Sequence, residues 1–136
     1  MSMTPFPLKI VTPDGPEFEG MVEELIVRTT SGDLGILAGH VSCVAPLGMG
    51  RATVVIDGVK RYAACIGGML SVVNGQATLV PTTFEWADQI DHARAEASYN
   101  KAEKVLKSGN ASDTELALAQ ARLRRALVRK SVVSYK

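Results

Sequence analysis

Apolar and polar residues alternate in short runs over roughly the first eighty positions, a period that is typical of β-strands. Turn-forming residues separate the runs: Pro13 and Gly15 follow the first run, and Asp57-Gly58 and Asn74-Gly75 each join two runs. Asp-Gly and Asn-Gly are preferred two-residue hairpin loops because both positions tolerate positive φ. The pattern predicts about eight or nine strands without intervening helices, and hence an antiparallel β-sandwich or flattened barrel. The strand-like runs span residues 8–12, 18–21, 23–29, 51–56, 59–64, 69–73 and 76–80.

The apolar period lengthens to that of α-helices after Pro81. A first helix is predicted by an i, i+4, i+7, i+11 stripe made of Ala95, Tyr99, Ala102 and Leu106. A capping box at Ser112 and Glu115 opens a second helix, whose apolar stripe is expected at Leu116, Ala119, Leu123 and Leu127. The chain is therefore predicted to be α+β, with a β-sandwich domain over residues 1–84 and an antiparallel two-helix hairpin over residues 85–136. Because alanine buries little apolar area, the seam between the helices is expected to open at modest cost.

The formal net charge of +1 conceals two parts of opposite sign. Residues 1–84 carry five basic and seven acidic side chains, whereas residues 85–136 carry ten basic and seven acidic side chains. A basic C-terminal helix leaves open a nucleic-acid-binding module, whose affinity would depend on salt. Only 5% of the residues are aromatic, which is sparse for a protein that stacks on bases.

Motifs of enzymatic chemistry are missing from the sequence. There is no phosphate loop, and the Gly-Met-Gly run at residues 48–50 lacks the third glycine of a dinucleotide fingerprint. The spacing of the two histidines and two cysteines suits no zinc site, and Cys43 and Cys65 are expected to be reduced and buried. No catalytic and no metal-binding residue is predicted. No apolar run approaches the roughly 18–20 residues that span a bilayer, and the first residues do not have the pattern of a signal peptide.

Glycines are concentrated in two places. Gly32, Gly35 and Gly39 lie within ten residues and indicate a tight turn leading into a buried corner. Gly67-Gly68 interrupts an apolar run. A β-bulge is the simpler interpretation there, and close approach of a partner's backbone is the alternative.

Three motifs together resemble the epsilon subunit of the F-type ATP synthase. The run Gly-Asp-Leu-Gly-Ile-Leu-Ala-Gly-His at residues 32–40 differs from that family's pattern only at Ala38, where proline is usual. Residues 11–15 resemble the opening strand and turn of the family, and residues 67–70 resemble its Gly-Gly element. The resemblance covers the whole chain and implies a sandwich followed by a weakly packed helical hairpin. It favours this family over the nucleic-acid-binding alternative.

The same resemblance implies a non-catalytic central-stalk subunit of the proton-translocating F-type ATP synthase. Such a subunit couples the catalytic head to the membrane rotor ring and restrains ATP hydrolysis through its mobile C-terminal helices. The implied partners are the gamma subunit, the ring of c subunits and, in an extended state, the catalytic beta subunits, with no nucleic acid. The implied location is the cytoplasmic face of the bacterial membrane, where the complex holds the subunit. The isolated chain is expected to be monomeric and to require no cofactor.

One further motif implies a regulatory ligand. Residues 90–95 match the Ile-Asp-x-x-Arg-Ala motif with which some bacterial members of the family bind ATP without hydrolysing it. The residues carried over as an ATP site are Glu85, Ile90, Asp91, Arg94, Ala95, Arg125 and Arg129, while Lys101 stands where an arginine is common. From the residues alone, Asp91 also fits a helix cap that pairs with Arg94 at i, i+3.

The second helix carries a cluster of basic side chains. By resemblance, an undocked hairpin reaches toward acidic segments of the catalytic subunits and opposes rotation in the hydrolytic direction. ATP that occupies the same arginines would hold the hairpin down and relieve this block. The residues expected to make the inhibitory contacts are Arg122, Arg124, Arg125, Arg129 and Lys130.

Overall fold

The computed structural model describes residues 3–134, which form ten strands, one 3₁₀ turn and two α-helices. One five-stranded sheet has the order β2-β1-β9-β8-β5, and the other has the order β10-β7-β6-β3-β4. The strands are β1 (Phe6–Thr12), β2 (Gly15–Val22), β3 (Glu24–Thr29), β4 (Gly32–Ile36), β5 (Cys43–Pro46), β6 (Met49–Ile56), β7 (Val59–Ile66), β8 (Met69–Val73), β9 (Gln76–Val80) and β10 (Thr83–Trp86). The 3₁₀ turn is Ala87–Gln89, and the helices are α1 (His92–Lys107) and α2 (Asp113–Val133). The predicted α+β class, a β-sandwich followed by a helical hairpin, is confirmed.

The two-residue hairpin loops form where the sequence predicts them. Asp57 and Gly58 connect β6 to β7 with φ angles of 50° and 77°, and Asn74 and Gly75 connect β8 to β9 with φ angles of 49° and 80°. Both loops use the left-handed backbone region that Asp, Asn and Gly tolerate best.

Three strands were not predicted, so the count is ten rather than eight or nine. These are β4, which lies within the glycine run, together with β5 and β10. All three lie at an edge of their sheet and have only four or five residues. Short edge strands carry few alternating apolar positions, which is why periodicity misses them.

One strand pair is parallel in an otherwise antiparallel sandwich. Strand β1 lies beside β9 with Leu8 opposite Ala77 and Ile10 opposite Leu79. The continuation of this register places the β1–β2 turn beside Pro81, at the point where the chain leaves the first sheet. This pairing joins segments about seventy residues apart, and such a contact leaves no local sequence signal.

The core of the sandwich consists of the alternate side chains that both sheets direct inward. Leu8, Ile10, Leu25, Val27 and Leu79 are at most 1% exposed and belong to one apolar cluster. The two-residue period of the strands therefore accounts directly for the packing.

The glycine pair at residues 67–68 is a connection between sheets and not a β-bulge. It links β7 in one sheet to β8 in the other, and the φ angles of Gly67 and Gly68 are 69° and 92°. A Cβ atom on Gly68 would overlap the carbonyl oxygen of Val80. The backbone that approaches is that of the chain itself, so the simpler interpretation was wrong and a partner is not required.

The predicted apolar stripe of α2 is partly wrong. Ala119 and Ala126 are buried, whereas Leu127 is 46% exposed. The positions that face α1 follow a three–four spacing that passes through Ala126, and Leu127 is rotated by about 100° from it on the helix. The seam is made by alanines, as expected.

The hairpin is docked on the outer face of the second sheet. Val132 of α2 is fully buried in an apolar cluster with Ala64 of β7, Ala87 and Ile90, and Val128 packs against the same cluster. No helix within residues 3–134 is long and apolar enough to cross a membrane.

We expect Gly68→Ala to reduce the free energy of unfolding by more than about 3 kcal/mol, because the new methyl group meets backbone that cannot rotate away. Gly75→Ala is the matched control, since Gly75 also has positive φ but nothing lies within 4 Å of an added Cβ. Its cost is expected to be only that of the left-handed backbone, about 1–2 kcal/mol. Urea denaturation of both variants provides the measurement, and equal losses would contradict the close approach.

Candidate ligand cleft

A cleft of about 620 Å³ lies between the docked hairpin and one end of the sandwich. Its volume falls within the range of small-molecule sites. Four parts of the chain line it: the β1–β2 hairpin, the segment from Thr82 through β10 to the 3₁₀ turn, α1 with its N-cap, and α2. The cleft therefore exists only while the hairpin is docked.

The docked hairpin brings together six of the seven residues predicted for the ATP site. The residues that line the cleft are Glu85, Asp91, Arg94, Ala95, Arg125 and Arg129. Ile90, the seventh, is only 5% exposed and lies in the apolar cluster with Val132. It fixes the start of α1 against the sheet and does not line the cleft.

A short connection positions the acidic residues of the cleft. Strand β10 leads directly into the 3₁₀ turn, where the Gln89 side chain accepts a hydrogen bond from the Trp86 amide at 3.2 Å. Asp91 follows as the N-cap of α1, and its Oδ1 accepts a hydrogen bond from the Arg94 amide at 3.0 Å. The prediction that Asp91 caps the helix is therefore confirmed, whereas the predicted ion pair between the Asp91 and Arg94 side chains does not form. The capping side chain lies at the cleft.

An ion pair joins the sandwich to α2 at the cleft wall. The Nε atom of Arg129 donates to Oε1 of Glu85 at 2.6 Å, and the side chains are 26% and 32% exposed. This partial burial strengthens the pair relative to one in bulk water. Both residues belong to the predicted site, and here they already bind one another.

The remaining arginines of the cleft lack such partners. Within residues 3–134, no carboxylate forms an ion pair with Arg94, Arg122 or Arg125. The cleft as a whole is balanced in charge, because four carboxylates and four arginines line it. The guanidinium groups of Arg94, Arg122 and Arg125 are nevertheless not held in direct ion pairs, so they can bind an anionic ligand. Planar guanidinium groups are suited to phosphate because they donate two parallel hydrogen bonds.

The five residues predicted for inhibitory contacts occupy three different environments. Arg122, Arg125 and Arg129 line the cleft. Lys130 pairs with Glu96 of α1 at 3.1 Å and lies 4.3 Å from the centre of the Tyr99 ring. Arg124 is exposed to solvent and lies outside the cleft.

Several cleft residues were not predicted from the sequence. Asp14 and Glu17 come from the β1–β2 hairpin, Thr82 and Thr83 precede Glu85, and Ser98 lies one turn after Arg94. Asp14 has the local pattern of a turn residue, and the parallel pairing of β1 with β9 brings its turn to the cleft. The sequence around Asp14 therefore does not indicate that this residue lines a cleft.

Neither cysteine lines this cleft. Burial raises the pKa of the Cys65 thiol to about 12, which keeps it protonated at neutral pH. No group of three or more His, Cys, Asp or Glu residues within residues 3–134 is placed to hold a metal ion.

Family comparisons agree with this architecture. Residues 5–87 match the model of the ATP synthase delta/epsilon chain β-sandwich domain, and residues 88–134 match that of its long α-helix domain. The chain therefore belongs to the delta/epsilon chain family of ATP synthase, and within it to the epsilon chains, as the resemblance predicted.

The most similar relatives include several bacterial ATP synthase epsilon chains. That of Ruminococcus albus is 42% identical over 98% of this chain and 100% of its own length. That of Bacillus velezensis is 42% identical over 92% of this chain and 94% of its own length. Both relatives span the sandwich and the hairpin together.

Two solved structures share the fold. A chain of the Euglena gracilis mitochondrial ATP synthase superposes with a TM-score of 0.85 at 19% identity, covering 98% of this chain and 84% of that chain. A chain of the Tetrahymena thermophila mitochondrial ATP synthase central stalk and c-ring superposes with a TM-score of 0.61 at 13% identity, covering 98% and 99%. At these identities the likeness concerns the fold.

We expect Arg129→Ala to loosen the docked hairpin even without ligand. Loss of the ion pair with Glu85 should cost about 1 kcal/mol of docking free energy. That cost corresponds to amide exchange about fivefold faster across the last turns of α2. The exposed Arg124→Ala variant is the control and should exchange like the parent. Equal protection of α2 in all three proteins would contradict a role of the ion pair in docking.

Proposed function

We propose that this chain works as the central-stalk epsilon subunit of a proton-translocating F-type ATP synthase. It would couple rotation between the catalytic head and the membrane rotor ring without catalysing a reaction itself. Family membership over nearly the whole chain supports this role. The solved structures with the same fold come from F1/c-ring and central-stalk assemblies.

The proposed partners follow from this role. The sandwich would contact the gamma subunit and the ring of c subunits, and an undocked hairpin would reach the catalytic beta subunits. The subunit would lie at the cytoplasmic face of the bacterial membrane, where the complex holds it.

We further propose that the cleft binds ATP without hydrolysing it. The observation that supports this most strongly is that Arg94 and Arg125, from different helices, converge on one cavity and form no ion pair with any carboxylate of residues 3–134. Phosphates would bind these guanidinium groups, and the carboxylate of Asp91 or Glu85 would accept hydrogen bonds from the adenine amino group or a ribose hydroxyl.

ATP in this position would stabilise the docked hairpin. The ligand would touch both helices and the sandwich, so it binds the docked form and not an undocked one. The docked form therefore gains RT ln(1 + [L]/Kd) of stability. Because alanines form the seam between the helices, the undocked hairpin is accessible at modest cost. Helix α2 has 21 residues and therefore extends over roughly 30 Å. Low ATP would thus favour the undocked, inhibitory hairpin.

We expect calorimetric titration of the isolated chain to show ATP binding without phosphate release. Arg94→Ala and Arg125→Ala should each weaken binding by at least about tenfold, because each removes a charge-assisted hydrogen bond. Arg124→Ala, of the same charge on the same helix as Arg125, should bind like the parent. The absence of both heat and thermal stabilisation at millimolar ATP would refute the ATP site.

We expect loss of the hairpin to raise ATP hydrolysis by the assembled complex. The shortened chain should end at Gln89, which keeps β10 and its pairing with β7 intact. Assembly should be unaffected because the sandwich retains its core, and co-purification of the other subunits checks this. Hydrolysis that stays unchanged at both low and high ATP would show that the hairpin has no inhibitory role.

A further inference from the structure

A second groove, of about 520 Å³, lies between α1 and α2 and adjoins the cleft. Arg94, Ser98 and Arg122 line both cavities, so they form a shared wall. Lys101, about one turn after Ala97 on α1, lines the groove but not the cleft. A ligand in the cleft therefore has a continuous path past Arg122 toward Lys101.

We propose that Arg122 is a further nucleotide-binding residue, and that it directs the phosphate tail out of the cleft into the groove between the helices, toward Lys101. This inference rests on the proposed ATP site and extends it. The resemblance implied only inhibitory contacts with other subunits for Arg122, whereas in the structure it lines the same cleft as Arg94 and Arg125.

The geometry of α2 separates Arg122 from its basic neighbour. Residues 122, 125 and 129 have i, i+3, i+7 spacing and lie within about 60° on the helix, while position 124 lies on roughly the opposite side. Arg124 accordingly lines neither cavity. One helix thus carries a cleft-facing arginine and an outward-facing arginine two residues apart.

The balance of charge in the groove also favours a polyanion. Arg94, Lys101 and Arg122 line it together with one carboxylate, that of Glu115. Glu115 is engaged at the N-terminus of α2, where its Oε1 accepts a hydrogen bond from the Ser112 hydroxyl at 3.1 Å. Within residues 3–134, Arg94, Lys101 and Arg122 form no ion pair. An elongated chain of phosphates would reduce the repulsion between these three cations.

This arrangement makes the number of phosphates matter. A single phosphate held by Arg94 and Arg125 would stay at the cleft side of the shared wall, whereas the outer phosphates of a triphosphate would extend along that wall past Arg122 toward Lys101. Arg122 should therefore contribute more to the binding of ATP than to the binding of AMP.

The test is calorimetric titration of the full chain and its variants with ATP and, separately, with AMP. Arg122→Ala should weaken ATP binding by about tenfold, as expected for one charge-assisted hydrogen bond, and should weaken AMP binding by a clearly smaller factor. Lys101→Ala should weaken ATP binding only. Arg124→Ala is the matched control and should leave both affinities unchanged. Thermal unfolding without ligand should not distinguish the Arg122→Ala and Arg124→Ala variants, because alanine is a strong helix former.

Three results would overturn the proposal. If Arg122→Ala binds ATP like the parent while Arg94→Ala binds it more weakly, Arg122 does not bind the nucleotide, but the proposed ATP site is still supported. Equal losses for ATP and AMP would reject the direction of the phosphate tail. A parent chain that binds neither nucleotide would overturn both this proposal and the ATP site itself.

Discussion

The docking of α2 on the outer face of the second sheet is the contact on which the candidate site depends. Val132 is fully buried against Ala64, Ala87 and Ile90, and the Arg129–Glu85 ion pair lies beside this cluster. The apolar burial supplies most of the attraction and selects the face of the helix that meets the sheet, and the ion pair reinforces this arrangement. Without this contact, the arginines of α2 would not face the sandwich, and no cleft would exist.

The hairpin combines one well-packed anchor with one weak seam. The anchor contains Val128 and Val132, whereas the seam between the helices is built around Ala95, Ala102, Ala119 and Ala126. Alanine faces allow close approach but bury little area, so the two helices separate at lower cost than leucine-rich ones. A ligand that bridges the helices and the sandwich acts at the place where a small free energy changes the arrangement most.

The sequence was most informative where local patterns carry the structure. The Asp-Gly and Asn-Gly loops, the interior strands and the Ser112 cap were predicted because their signals span only a few residues. It was least informative at three of the four edge strands, the sheet-switching Gly67-Gly68 pair and the exposed Leu127. Each of these depends on which distant segment lies alongside, a property that periodicity does not encode.

The sequence by itself determined the family, the order of sandwich and hairpin, and six residues that line the cleft. The family and the six residues follow from the resemblance of short motifs to those of known epsilon subunits, and the order of sandwich and hairpin follows from the spacing of side chains along single elements. Only the tertiary structure showed that Ile90 is an apolar support, that Arg129 is paired with Glu85, and that Arg122 lines the cleft while Arg124 does not. The reason is physical: α2 can present any of its faces to the sheet until the burial of Val128 and Val132 selects one, and that selection decides which arginines meet across the cavity.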